Sequence, residues 1–177
     1  DFSFCPTLIV TEAVSNPQYQ VGDLAEGGIV FYIDETGQHG LVAAMEDLGQ
    51  FEWGCDGTSI SGADGQSIGT GLQNTLEIVS GCSETPIAAS EALAYESEGY
   101  SDWYLPSHME LLEMYNTIGN GAVLLENINS GNFYNDWYWS SSEHLNNLAW
   151  LVYFNNGLSD ANYLEYGTYR VRVIRAF

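Results

Sequence analysis

Residues 99–119 read GYSDWYLPSHMELLEMYNTIG, and the way this stretch divides decides the fold. Trp103, Tyr104 and Leu105 are consecutive bulky residues that suit a strand. Pro106 ends that strand, because proline has no N–H to give to a ladder. Ser107 then opens an S-x-x-E capping box with Glu110. Leu111, Leu112, Tyr115 and Ile118 keep helical spacing, and Gly119 stands where a left-handed residue often closes a helix. A short strand followed directly by a capped helix predicts a mixed α+β domain. Asp102 and Trp103 read as structural, the indole in the core and the carboxylate capping a turn or pairing with an arginine.

Upstream, Thr85-Pro86 fits an N-cap followed by proline in the first helical position. Ala88, Ala89, Ala92, Leu93 and Tyr95 then share one face until Gly99, which predicts a helix over 86–97. Residues 47–82 are rich in Gly, Ser, Thr and Asp and predict a long ordered loop. A disulfide between Cys55 and Cys82 would tie that loop down and contribute about 3–4 kcal/mol through chain entropy. Cys5 is then left over, either free or tied to a segment outside this chain. An odd cysteine count without CxxC spacing argues against zinc and thioredoxin-type chemistry. Further upstream, IVFYID and HGLVAAM flank a Gly-containing turn and predict a hairpin with strands at 29–34 and 40–45. Residues 1–22 read as a linker or tethering segment, and 23–177 as the domain proper.

Downstream of Asn127 the chain becomes strands separated by Asn and Gly turns, with a hairpin turn at Asn155-Asn156-Gly157. In the last segment Tyr169, Val171 and Val173 alternate with Arg170 and Arg172. This predicts one strand with an apolar face and a face holding the arginines. Arg170, Arg172 and Arg175 are the only basic residues, set against 24 Asp and Glu. In such a chain they are expected to act as internal clamps on carboxylates.

The chain has 177 residues, 45% of them hydrophobic and 14% aromatic, so the formal charge of −21 does not signal disorder. One compact domain is expected. Nucleic acid, anionic membranes and heparin-like polymers are excluded as partners, because binding a polyanion needs Lys and Arg. No apolar run is long enough to span a bilayer. The start at Asp1 suggests a processed product and export.

The pieces GGIVFYID, HGLVAA, WGCDGT, GTGLQNT, GYSDWYLPS, YWSSSE, AWLVYF and YRVRVIRAF, in this order, resemble the bacterial DUF1566 family, over about residue 22 to the C-terminus. That family is similar to the C-terminal domain of the Legionella collagen-like adhesin. It is related in fold to C-type lectins and the formylglycine-generating-enzyme group. The resemblance implies a C-type-lectin-like α+β fold with two helices, short antiparallel strands and long ordered loops. It also implies an extracellular or cell-surface setting and a role in binding.

The candidate face is C-terminal. Tyr134, Asn135, Asp136, Trp137, Asn155 and Tyr166 combine flat rings with short amides and carboxylates there, and the ligand-binding positions within this region are Asn146, Asn147, Asn156, Asp160, Asn162 and Tyr163. This is the chemistry of paratopes and sugar platforms. The plainer alternative is that Asn fills turns and aromatics fill the core, which is the expectation for Trp139, Trp150 and Phe154.

Calcium is open as a ligand, within the Asp56–Asp64 loop or among Asp34, Glu35 and Asp47. The E-P-N, Q-P-D and W-N-D signatures of calcium-dependent sugar binding are absent. No enzyme is expected. The cysteines lie outside the C-terminal half, and His39, His108 and His144 read as surface or structural residues. Ser140–His144 reads as a buried strand end, and the Gly62–Gly71 loop lacks the G-K-[ST] of a phosphate loop. The expectation is therefore a recognition or adhesion domain binding a glycan or protein. The alternative is a structural subunit of an extracellular appendage, self-associating through residues 1–22.

Overall fold

The computed structural model describes residues 18–145, 148–163 and 167–177. Within it the elements run β1 (Leu24–Ala25), β2 (Gly28–Ile33), β3 (Gly40–Ala44), β4 (Gln50–Phe51), α1 (Gly71–Gly81), α2 (Ala88–Ala94) and α3 (His108–Ile118). A 3-10 turn at Leu125–Asn127 follows. The chain then forms β5 (Trp137–Leu145), β6 (Leu148–Tyr153), β7 (Leu158–Tyr163), β8 (Tyr169–Arg170) and β9 (Ile174–Ala176). One sheet has the order β1-β2-β3-β9 and the other β4-β8-β5-β6-β7.

Alternation along the strands sorts the core into two layers. Val30 pairs with Val42 across β2 and β3 and packs with Trp139, Leu151, Ala88, Ala89 and Ile78, on the side of α1 and α2. Their neighbours Ile29 and Ala43 join Leu111, Met114, Ile118, Val152 and Phe154 beneath α3. Helices thus cover both sides, a mixed α+β architecture.

The capping box is formed as expected. The Ser107 hydroxyl accepts from the Glu110 N–H, and the Glu110 carboxylate accepts from the Ser107 N–H. Gly119 is not left-handed; its φ is −95°. Glycine is needed there because a Cβ would come within 2.7 Å of the Tyr115 carbonyl oxygen. The hairpin of β2 and β3 lies within a residue of its expected bounds, and its turn is held by the Asp34 carboxylate, which accepts from the Thr36 N–H and hydroxyl.

Four expectations need correction. There are three α-helices rather than two, because α1 lies inside the stretch read as loop. Its glycines obscured a helix whose inward face mixes the polar Asn74 and Thr75 with Ile78. The second helix begins at Ala88 rather than 86, with the Ser90 hydroxyl accepting the Ile87 N–H.

The terminal segment is not one alternating strand. β8 belongs to one sheet and β9 to the other, and Val171, Arg172, Val173 and Ile174 between and at their ends are all buried. Where a chain crosses between two sheets, both of its sides face protein. Trp103-Tyr104-Leu105 forms only a single bridge, Tyr104 to Ile174.

Cys55 and Cys82 are joined by a disulfide that closes the loop between β4 and the end of α1. Of the segment 1–22, residues 18–22 rest on the first sheet: Gly22 N–H donates to the Val30 carbonyl, and Tyr19 packs edge-on to Phe177. Residues 1–17, including Cys5, lie outside the described residues.

Candidate binding site

The site is assembled at the end of the second sheet where β5 begins. β5 and β6 run antiparallel with Trp137 opposite Tyr153, and this register stacks the two half-buried rings 5.0 Å apart at 24°. Leu158 on β7 pairs with Tyr153, and Asp160 pairs with Leu151, so both belong to the face that carries this stack. Leu158 is 54% exposed, and Asp160 is exposed as well.

On the opposite pleat of the same sheet end, where Tyr138 pairs with Arg170, lies a charged cluster. The Arg170 guanidinium donates to Asp136 through Nε at 3.0 Å and to Asp47 through Nη1 at 3.3 Å, and it lies 3.6 Å from the centroid of the exposed Tyr134 ring. Gln50 donates its amide to the other side of this cluster, at Asp136. Burial opposes the Arg170 charge, but Asp47 and then Asp136 outweigh it and raise its pKa. Asp47 also accepts from the Tyr138 hydroxyl, whose pKa is raised by burial first and by Asp47 second.

The other two arginines are also committed. Arg175 makes a two-pronged contact with Asp102, at 2.7 and 3.1 Å, and a further one with Glu26, over the Tyr100 ring. Arg172 differs from expectation because its partners are backbone: it donates to the carbonyls of Ala44 and Gly131 and lies over Phe133. Burial lowers its pKa. With every arginine engaged, the charge that the described surface offers to a ligand is carboxylate.

The expected binding residues fare unevenly. Asp160 lies on the face of the stack, although its carboxylate already accepts the Ala161 N–H. Asn156 lies in the turn between β6 and β7, where its side-chain oxygen accepts the Leu158 N–H, the plainer role for a turn asparagine. Asn162 and Tyr163 pair through the backbone with Ala149 and Leu148. Asn146, Asn147 and Tyr166 lie outside the described residues. Asn135 accepts from the Asn120 amide.

Sequence reasoning missed Tyr153, Gln50 and Leu158. Only Tyr153 carried a local signal, since in Trp150–Phe154 it alternates with the core residues Val152 and Phe154.

Trp139 and Phe154 are core residues, as expected. Trp150 is half-buried, with His108 stacked on it at 4.5 Å and His144 tilted at 4.5 Å. His108 is buried, and its Nε2 contacts the Ser159 hydroxyl at 2.9 Å. Burial first and His144 second depress its pKa. Ser140–Glu143 is a buried seam, where the Glu143 carboxylate accepts from the Ile60 N–H and the Ser142 hydroxyl donates to the Gly65 carbonyl. Among the described residues, one group of three metal-ligating side chains converges, Cys55, Cys82 and Glu84, and its cysteines are disulfide-bonded. Asp34 and Asp47, raised above as calcium ligands, are engaged by Thr36 and by Tyr138 and Arg170.

A layered α+β domain with an aromatic stack at the end of its second sheet is the class that the fold and the site define. Residues 52–175 match the family model of the Lcl C-terminal domain, so the chain belongs to that family. The resemblance to the Legionella collagen-like adhesin domain is thereby established. No curated protein matches the chain. Among solved structures it is similar in fold to a fimbrial protein from Bacteroides ovatus ATCC 8483, with 15% identity and a TM-score of 0.50. The match covers 93% of this chain and 45% of the fimbrial chain, so the chain spans less than half of that protein. No helix among the described residues is long and apolar enough to cross a membrane.

Proposed function

We propose that this chain is a non-enzymatic recognition domain of a surface or secreted bacterial protein, binding a neutral or cationic glycan or protein on the face of Trp137 and Tyr153. The observation that carries this reading is the half-buried stack of these two rings beside exposed Leu158 and Asp160. Stacked rings bordered by hydrogen-bonding groups suit the apolar face and hydroxyl edge of a sugar, or an aromatic anchor on a protein. Family membership and the fimbrial likeness favour an adhesive setting outside the cell. A C-type-lectin-like arrangement belongs to the same reading.

The test is binding of the whole chain to glycan and protein arrays, in calcium and again in chelator. Tyr153→Ala should remove the hits while leaving the thermal transition within a few degrees. Hits that persist undiminished in Tyr153→Ala would sink the assignment of this face.

The structural-subunit reading has the fold shared with a fimbrial protein in its favour. It requires assembly visible by light scattering that is lost when residues 1–20 are removed.

A further inference from the structure

The three arginines differ in what the edges of their guanidinium groups hold. Arg175 sets the edge formed by Nε and Nη2 on Asp102, at 2.7 and 3.1 Å, and Arg170 sets its Nε on Asp136 at 3.0 Å. Arg172 is 1% exposed, and its Nη1 is satisfied by the carbonyls of Ala44 and Gly131, at 2.8 and 3.0 Å. On its other edge Nη2 has a contact of 3.4 Å to the Asn132 carbonyl, and the buried Nε has no acceptor among the described residues. Asp47 acts on Arg172 only at a distance, because its oxygens take the Tyr138 hydroxyl and Arg170 Nη1. A buried guanidinium with an open fork is costly, since charge taken out of water is offset only by well-placed acceptors.

Arg172 lines a polar cavity of about 320 Å³ together with Met45, Glu46, Asp47, Asn132 and Tyr134. The carbonyls that hold Nη1 belong to Ala44, just before Met45, and to Gly131, just before Asn132, so the guanidinium head is the part of Arg172 that meets the cavity. Nη2 reaches toward Asn132, itself a lining residue, which turns the open edge to the same side. Ligand pockets range over about 300–1,000 Å³, so this one suits a small molecule. Glu46 and Tyr134 are exposed at its mouth, whereas Arg172 lies at its floor. The floor favours an oxyanion and the mouth a cation.

We infer that this cavity binds a small zwitterion, a free α-amino acid, with its carboxylate on the Nε and Nη2 fork of Arg172 and its ammonium on the Glu46 side. A planar carboxylate meets that fork with two parallel bonds, as Asp102 does on Arg175. A simple anion is disfavoured, because it would enter past Glu46 and Asp47 into a molecule of net charge −21. A zwitterion has no net charge to repel. To meet both groups in so small a cavity the ligand must hold its two charges close together, as an α-amino acid does. The cavity is separate from the face of Trp137 and Tyr153, so either assignment can fail without the other.

The test follows the Nε–Hε resonances of the three arginines in the whole chain. Each common free α-amino acid is added in turn at about 10 mM, which fills most of a site of millimolar affinity. At least one should move the Arg172 resonance in a saturable way, while those of Arg170 and Arg175, whose Nε already sits on a carboxylate, stay in place. The N-acetyl derivative of that amino acid, which lacks the ammonium, and its amide, which lacks the carboxylate, should each bind at least about tenfold more weakly. Glu46→Gln, at an exposed position that leaves the core untouched, should weaken binding of the unmodified amino acid by a similar factor. An Arg172 resonance that no amino acid moves would overturn the proposal and leave a cavity filled by water alone. Undiminished binding of either derivative, or by the Glu46→Gln chain, would also overturn it. So would an equal response to propionate, which would make this a plain anion site.

Discussion

Arg175 shows how much of this molecule rests on single side chains. Its planar fork meets both oxygens of Asp102, touches Glu26 and stacks 3.8 Å from the Tyr100 centroid. Lysine has the charge without the fork or the flat face. Arg175→Lys should therefore lower stability by about 1–2 kcal/mol, checked by urea unfolding; a change within error would show that charge alone matters here. The sequence pointed to arginine clamps correctly, since three cations among 24 acids must find partners. It could not say which partners, because Asp47, Asp136 and Asp102 lie 123, 34 and 73 residues from their arginines. Arg172 went further from expectation, taking carbonyls instead of carboxylates.

At the scale of elements, what could be read was local chemistry. The Ser107 and Glu110 box, the turn before β3 and the Asn-Gly turn after β6 are each set by a few adjacent residues, and each appears where the sequence puts it. Helix α1 could not be read, because Ile78 is the one buried bulky apolar residue on it and the rest of its anchoring is long-range and polar. Asn74 and Thr75 hold it through Gly65, Leu105 and the serines of β5. This gives an inverted mutational order. Asn74→Ala should cost about 2–3 kcal/mol by stranding buried partners, whereas Leu76→Ala should cost under about 1 kcal/mol. Chemical unfolding of the two variants checks the order, and a larger loss for Leu76→Ala would refute the polar anchoring of α1. The site was half legible for a similar reason. Asn, Asp and aromatic residues marked the region, but strand pleating decides which of them share a face.

For the whole molecule, the carboxylates divide into two groups with opposite pH dependence. Burial holds Glu110, Glu113 and Glu143 above the usual carboxylate range. The folded state takes up these protons more readily than the unfolded state, so stability rises as pH falls through their raised pKa values. Glu26 is held below the usual range, mainly by the Tyr19 hydroxyl, Asp34 by Thr36 and Asp102 by Arg175. Their contribution is present above the ordinary carboxylate pKa and is lost as pH falls through the depressed values. Easing of the −21 charge reinforces the first trend. The melting temperature should therefore rise from pH 7 to a maximum at about pH 4–6 and then fall. A steady decline from pH 7 downward would contradict this balance.

The central claim, that ligand meets the chain at Trp137 and Tyr153, is tested most directly by the indole N–H resonances of the five tryptophans. The tightest array hit is titrated into the whole chain. The account expects the Trp137 resonance to move with saturation, while those of the fully buried Trp53, Trp103 and Trp139 stay in place. A Trp137 resonance that stays still while Trp150 moves, or while all five stay still at saturating ligand, would contradict it.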